Sequence, residues 1–133
     1  MITEDGQALL ADMILGEDTF PTSLWVGLCL GYPISATNYN EPVAGDYVRQ
    51  EIPMDVAKWT VTGGEMVYEE WIEWDPPAVD WGAEDSTLGW YILCDSATPG
   101  AGKILFTETI AGVFPGAGTP LVIPPYGVKV LVS

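Results

Sequence analysis

Frequent glycine and proline residues restrict this chain to short secondary-structure elements. The 133 residues include 15 Gly and 11 Pro, which separate the apolar runs after residue 18. Proline removes a backbone donor, and both residues are unfavourable inside a helix. The pattern therefore argues against a helical protein and favours many short strands joined by turns.

Seven or eight short strands are predicted, and their spacing is typical of a β-sandwich or a closed barrel. Two runs, 24–30 and 88–94, are apolar on both faces, which predicts central strands. The other predicted strands are 47–52, 59–62, 66–74, 103–110, 121–123 and 128–132, with loops at 35–46 and 112–119. We expect an all-β fold, a single β-sandwich that is Ig-like or jelly-roll-like, with a short N-terminal helix.

Only the first fifteen residues space their apolar side chains as a helix does. Thr3 or Asp5 can cap the start of this helix, and Gly16 can cap its end. We expect residues 1–18 to form a helical segment and residues 19–133 the sandwich, in one domain overall. A helix of about ten residues is marginal alone, so its apolar face, with Leu9 and Met13, is expected to contact the domain or a partner.

The charge balance excludes several classes of partner and reaction. The chain has 19 acidic residues, 4 basic residues and no histidine, and its formal net charge is −15. Nucleic acids and anionic membranes both require a basic surface, so neither is an expected partner. Without histidine, Ser-His-Asp and Cys-His catalysis and histidine metal sites are excluded. We therefore expect no catalytic residue, no cofactor and no enzymatic activity.

The two cysteines, Cys29 and Cys94, both lie in apolar runs. We expect two buried thiols in a reducing compartment. A disulfide between neighbouring strands remains the alternative.

Acidic residues crowd the predicted strand 66–74 and the segment after it. They are Glu69, Glu70, Glu73, Asp75, Asp80, Glu84 and Asp85. A solvated acidic face is the main expectation, with a bound divalent cation as an alternative. Glu69 and Glu73 would lie about 13 Å apart along one strand, which is a poor spacing for a glycosidase acid pair.

Strand alternation places Trp71 between Glu69 and Glu73, on the face that should be solvated. An exposed tryptophan suits a contact with another protein subunit. Cover by a loop of the same chain and stacking on a sugar ring are the alternatives. Trp71, Glu69 and Glu73 are therefore candidate interface residues.

Other large side chains are expected to be structural. Four tryptophans are predicted in the core: Trp59, Trp74, Trp81 and Trp90. Arg49 is the only arginine, and a buried arginine needs a carboxylate partner. We expect Arg49 to form a structural ion pair with an acidic residue on an adjacent strand.

A series of short motifs gives the chain a family resemblance. In order, these are Leu24-Trp25-Val26-Gly27-Leu28, Glu41 with Gly45-Asp46-Tyr47-Val48-Arg49, Ile72-Glu73-Trp74, Trp81-Gly82, Gly89-Trp90 with Asp95-Ser96-Ala97, and Gly127-Val128-Lys129-Val130. Their order and spacing resemble a family of small tailed-bacteriophage virion proteins, described as tail-fibre or capsid decoration proteins.

The resemblance implies a non-enzymatic structural protein of a virion that is assembled in the host cytoplasm. We expect a head decoration or cement protein that binds the capsid exterior. Its partners would be the major capsid protein or other virion proteins, and it would form a homo-oligomer, with a trimer as one option. The alternatives are a tail-fibre or baseplate component and a carbohydrate-binding module for host surface glycans.

Overall fold

The computed structural model describes residues 2–30, 39–43, 46–77, 81, 88–113 and 121–131. Half of the predicted loop 35–46 and most of the loop 112–119 lie outside these residues. The elements are α1 (Glu4–Ile14), β1 (Ser23–Cys29), β2 (Gln50–Pro53), a 3-10 turn (Val56–Lys58), β3 (Trp59–Thr62), β4 (Glu65–Tyr68), β5 (Ile72–Trp74), β6 (Leu88–Cys94), β7 (Ile104–Val113), β8 (Leu121–Ile123) and β9 (Lys129–Leu131). The predicted all-β fold with one short N-terminal helix is confirmed.

The strands form three antiparallel sheets, none of which closes on itself over the described residues. The largest has the order β2-β1-β6-β7, the second β3-β4-β9, and the third pairs β5 with β8. The main core contains residues from all three, including Leu24, Tyr68 and Trp74. This arrangement is the expected sandwich-like architecture.

The four-stranded sheet is covered on both faces, which explains the two fully apolar runs. Alternate residues of β1, including Val26 and Leu28, enter the main core. On the opposite face, Cys29 and Ile92 form a second cluster with Tyr39. The prediction that 24–30 and 88–94 are central strands is confirmed by the order of this sheet.

The prediction of one continuous strand over 66–74 is wrong. Segment 66–74 is divided between β4 and β5, which belong to different sheets. Opposite the break lies the turn that begins at Pro124 and Pro125, and proline has no backbone N–H with which to continue a ladder. The break contributes to a total of nine strands among the described residues, where seven or eight were expected.

Helix α1 docks on β7 through backbone contacts at its first turn. Thr3 caps the helix by accepting a hydrogen bond from Gly6 N at 3.1 Å, and Thr3 N donates to Leu105 O at 3.0 Å. A Cβ at Gly6 would lie 2.2 Å from Leu105 O, so only glycine permits this approach. Leu15 is the C-cap, and Gly16 follows with a φ of +75°. The predicted caps at Thr3 and Gly16 are confirmed.

Three of the four predicted core tryptophans are buried, and each donates a hydrogen bond from its indole N–H group. Trp59 donates to Pro53 O at 3.1 Å and Trp74 to Val48 O at 2.7 Å, while Trp81 donates to an Asp46 carboxylate oxygen. Trp90 is only half-buried and packs against the second cluster. No helix among the described residues has the length and hydrophobicity that a bilayer crossing requires.

Candidate functional site

Arg49 and Glu41 form a buried ion pair on the outer face of the four-stranded sheet. Arg49 Nη2 lies 2.7 Å and Nε 3.1 Å from the two Glu41 carboxylate oxygens. Arg49 Nη1 donates to Ser96 O at 2.7 Å and to Ala101 O at 2.9 Å, and the guanidinium stacks over Tyr39 at 5.5 Å. Glu41 lies on an irregular segment, not on the adjacent strand where the partner was expected.

Tyr47 connects this ion pair to the edge of β1. Its hydroxyl donates to Glu41 Oε2 and accepts a hydrogen bond from Leu28 N at 2.9 Å. Burial first, and then the charge of Glu41, raises the pKa of Tyr47 well above its usual value of 10.0, so its phenol keeps the proton that it donates. The predicted strand 47–52 begins only at Gln50, because Tyr47 contacts the β1 edge through its side chain.

Glu41, Tyr47 and Arg49 thus connect segments that are distant in sequence. Besides its contacts with Arg49 and Tyr47, Glu41 accepts a hydrogen bond from Gly100 N at 3.0 Å, which ties it to the β6–β7 turn. A Cβ at Gly27 would lie 2.7 Å from Glu41 Oε2, so the glycine of the β1 motif makes room for this carboxylate. Glu41 and Arg49 are both buried, and their hydrogen bonds join them to residues of the β6–β7 turn.

Both cysteines are buried free thiols. Cys29 pairs with Trp90 in the β1–β6 ladder, and Cys94 pairs with Trp25. Cys29 and Cys94 lie on neighbouring strands but are offset by four residues along them. This separation is too large for a disulfide bond. Burial raises the pKa of Cys94 from 9.0 to about 12, and it raises that of Cys29 further. Neither thiol is an activated nucleophile.

Trp71 is exposed, with 59% of its surface accessible. It directly precedes β5, in which Glu73 pairs with the exposed Val122 of β8. Tyr126, also 59% exposed, lies in the turn after β8, where its N–H donates to Tyr68 O at 2.8 Å. The side chains of Trp71, Glu73, Val122 and Tyr126 are here called the Trp71 surface. Among the described residues, no loop of the chain buries Trp71, which was one of the alternatives.

The acidic residues near Trp71 do not form one face. Glu69 accepts a hydrogen bond from Thr60 Oγ1, and Glu70 pairs with Lys58 Nζ at 3.0 Å. Both therefore contact the β3 region, and Glu73 remains exposed beside the Trp71 surface. Asp80, Glu84 and Asp85 lie outside the described residues. Within the part of the chain that the structure describes, no group of three acidic or cysteine residues is placed to hold a metal ion.

The two candidate residues of the helix are only partly available. Leu9 is half-buried and packs against the main core of its own chain, and Met13 is also half-buried. The exposed apolar residues at this end are Ile14, at 85%, and Leu15, at 72%. A partner that reached the helix would therefore contact Ile14 and Leu15 first.

Two residues of the Trp71 surface, Val122 and Tyr126, were not predicted from the sequence. Val122 is exposed between two buried neighbours, and alternation along 121–123 was the signal that could have identified it. Tyr126 has a φ of +66° in a Pro-Pro-Tyr-Gly turn. An aromatic residue at the tip of a proline-rich turn was a visible indication of exposure.

Comparison with known proteins gives one family. The model of the family described as podophage GP4 fiber I protein gp80 matches residues 3–115. That range includes α1, the Glu41–Arg49 pair and Trp71. A search of curated proteins gives no significant match.

Proposed function

The chain belongs to this family of podophage fibre proteins, and on that premise we propose that it is a non-enzymatic structural component of a tail fibre. The family match is the single observation that carries the proposal. The buried use of Glu41 and Arg49 supports it, because the distinctive polar residues of the chain are engaged in holding the fold together.

The Trp71 surface supplies the contact region in this proposal. It combines two exposed aromatic side chains with an exposed valine. Tryptophan and tyrosine are enriched among the residues that contribute most to protein–protein interfaces. The proposed partners are other virion proteins or further copies of this chain.

The position of the protein on purified particles tests the proposal. Gold-labelled antibody should mark the tail, and densitometry should give few copies per particle. Many copies spread over the head would overturn the fibre assignment in favour of the head decoration role that was expected from the family resemblance. Absence from particles would overturn both.

Binding of a host glycan is a second candidate function, favoured by the exposure of Trp71 and Tyr126 beside Glu73. Aromatic rings stack on sugars, and a carboxylate can accept hydrogen bonds from sugar hydroxyls. Retention of the protein on immobilised host polysaccharide, lost in Trp71→Ala and kept in Val61→Ala, would support this function. Equal retention of all three proteins would exclude Trp71 as the binding residue.

A further inference from the structure

An open apolar cavity lies between helix α1 and the sheets. Its volume is about 170 Å³, and all its lining residues are apolar, among them Leu10, Phe20, Leu24, Met54 and Met66. We call it the helix–sheet pocket. A cavity of about 150 Å³ with such a lining accepts a benzene molecule. The pocket is therefore large enough for one phenyl or branched aliphatic side chain.

The mouth of the pocket continues onto exposed apolar residues. Ile14 follows Leu10 by one helical turn and is 85% exposed, and Val61 pairs with Met66 in the β3–β4 ladder and is 63% exposed. The flexible, polarizable side chain of methionine adapts to differently shaped ligands, and Met54 and Met66 both line the pocket. These features are typical of a contact site for an apolar side chain.

Among the residues within two positions of the pocket lining in sequence, which we call the rim, acidic residues outnumber basic ones. Met54 N donates to Thr22 O at 2.9 Å, which brings the segment before β1 beside the segment after β2. Asp18 and Asp55 are exposed on these two segments, close in sequence to the lining residues Phe20 and Met54. The rim also contains one exposed cation among the described residues, Lys129, which adjoins the lining residue Val130.

The charge of the rim indicates which kind of protein segment can bind in the pocket. A second copy of this chain would bring another protein of net charge −15 against the acidic rim, and like charges oppose such a contact. We propose that the helix–sheet pocket receives one large apolar side chain from a basic segment of a partner protein. The inference goes beyond the fibre role and does not depend on where the protein lies on the particle.

Methyl-resolved NMR of the isolated chain, titrated with three short peptides, tests the proposal. The probes are acetyl-Lys-Phe-Lys-amide, acetyl-Glu-Phe-Glu-amide and acetyl-Lys-Ala-Lys-amide. The first should shift the methyl resonances of Leu10, Leu24, Met54 and Met66. The second should bind about tenfold more weakly, because its Glu residues replace weak attractions to the acidic rim with repulsions. The third lacks a large side chain and should leave these resonances unchanged.

Two variants locate the binding. Met54→Trp fills the pocket from within and should abolish the shifts caused by Lys-Phe-Lys. Val43→Trp adds the same side chain at an exposed position outside the pocket lining and should leave them intact. If Met54→Trp does not fold, the three peptides on the wild-type chain decide the question alone.

Three results would overturn the proposal. The first is the absence of any shift with millimolar Lys-Phe-Lys, and the second is equal affinity for the Lys- and Glu-flanked peptides. The third is a shift of the pocket methyls on concentrating the protein alone, which would show that another copy is the occupant. None of these results bears on the copy number or position of the protein on the particle, so the fibre proposal stands or fails separately.

Discussion

The carboxylate of Glu41 occupies the space that a side chain at residue 27 would need. A Cβ at Gly27 would lie 2.7 Å from Glu41 Oε2 and 2.9 Å from Ile92 Cγ1. Glu41 cannot turn away, because Arg49, Tyr47 and the backbone of Gly100 all hold its carboxylate. Motifs far apart in sequence thus act as one packing unit.

Gly27→Ala should destabilise the protein by about 2–3 kcal/mol, the cost typical of adding a methyl group to a filled site. Gly89→Ala is the matched control, because Gly89 lies in the neighbouring central strand and a Cβ there meets nothing within 4 Å. This control should change stability by less than about 0.5 kcal/mol. Urea unfolding measures both, and equal losses would show that Glu41 moves aside.

Glu41→Gln should cost about 3 kcal/mol, because it leaves the buried Arg49 guanidinium without a counter-charge. The control is Glu70→Gln at the exposed pair with Lys58, whose side chains are 49% and 43% accessible. Such pairs contribute less than about 1 kcal/mol. The free energy of unfolding at neutral pH checks this prediction, and similar values for the two variants would contradict it.

The protein should lose stability as the pH rises above 9. Burial raises the pKa of the Cys94 thiol from 9.0 to about 12, and that of Cys29 rises in the same direction. Between pH 9 and 12 the folded chain therefore keeps protons that the unfolded chain has released. Each thiol should remove about 1.4 kcal/mol of stability between pH 8 and pH 10.

Urea unfolding at pH 8 and pH 10 measures this loss. A variant with Cys29→Ala and Cys94→Ala should show a smaller loss over the same interval. Tyr91, whose pKa burial raises to about 12, stays in both proteins and serves as the common background. An unchanged pH dependence in the variant would show that the thiols are not responsible.

Trp71→Ala should reduce incorporation of the protein into particles with little effect on folding. Its side chain is 59% exposed, so the stability change should stay within about 0.5 kcal/mol. Trp74→Ala, three residues along, removes a buried indole that donates to Val48 O, and it should cost about 3–5 kcal/mol. Wild-type copy number with Trp71→Ala would remove the Trp71 surface from the proposed contact region.

Local rules predicted much of the fold. Strand β3 was predicted from residue type, as was a cap at each end of α1. Strands β1 and β6 were identified as central because their runs are apolar on both faces. In each case the types of a few residues adjacent in sequence were sufficient to predict the local structure.

Contacts between distant segments were not predictable in the same way. The alternation over 66–74 gave no indication that a proline turn beyond residue 120 would interrupt its pairing. Arg49 was expected to have an acidic partner, but the partner, Glu41, is on an irregular segment fixed by the turn 96–102. The helix–sheet pocket combines residues from both ends of the chain, so no local pattern could show it.

Asn40 and Tyr47 also cover the edge of β1 beyond the end of β2. A bare sheet edge lets a foreign strand add to the ladder. Beyond β2, however, Leu28 N is bonded to the Tyr47 hydroxyl, and Leu30 N donates to Asn40 O at 2.9 Å. This stretch of β1 is therefore closed to cross-chain strand addition. Any second chain that approached this end of β1 would therefore meet side chains and a bonded segment instead of open backbone groups.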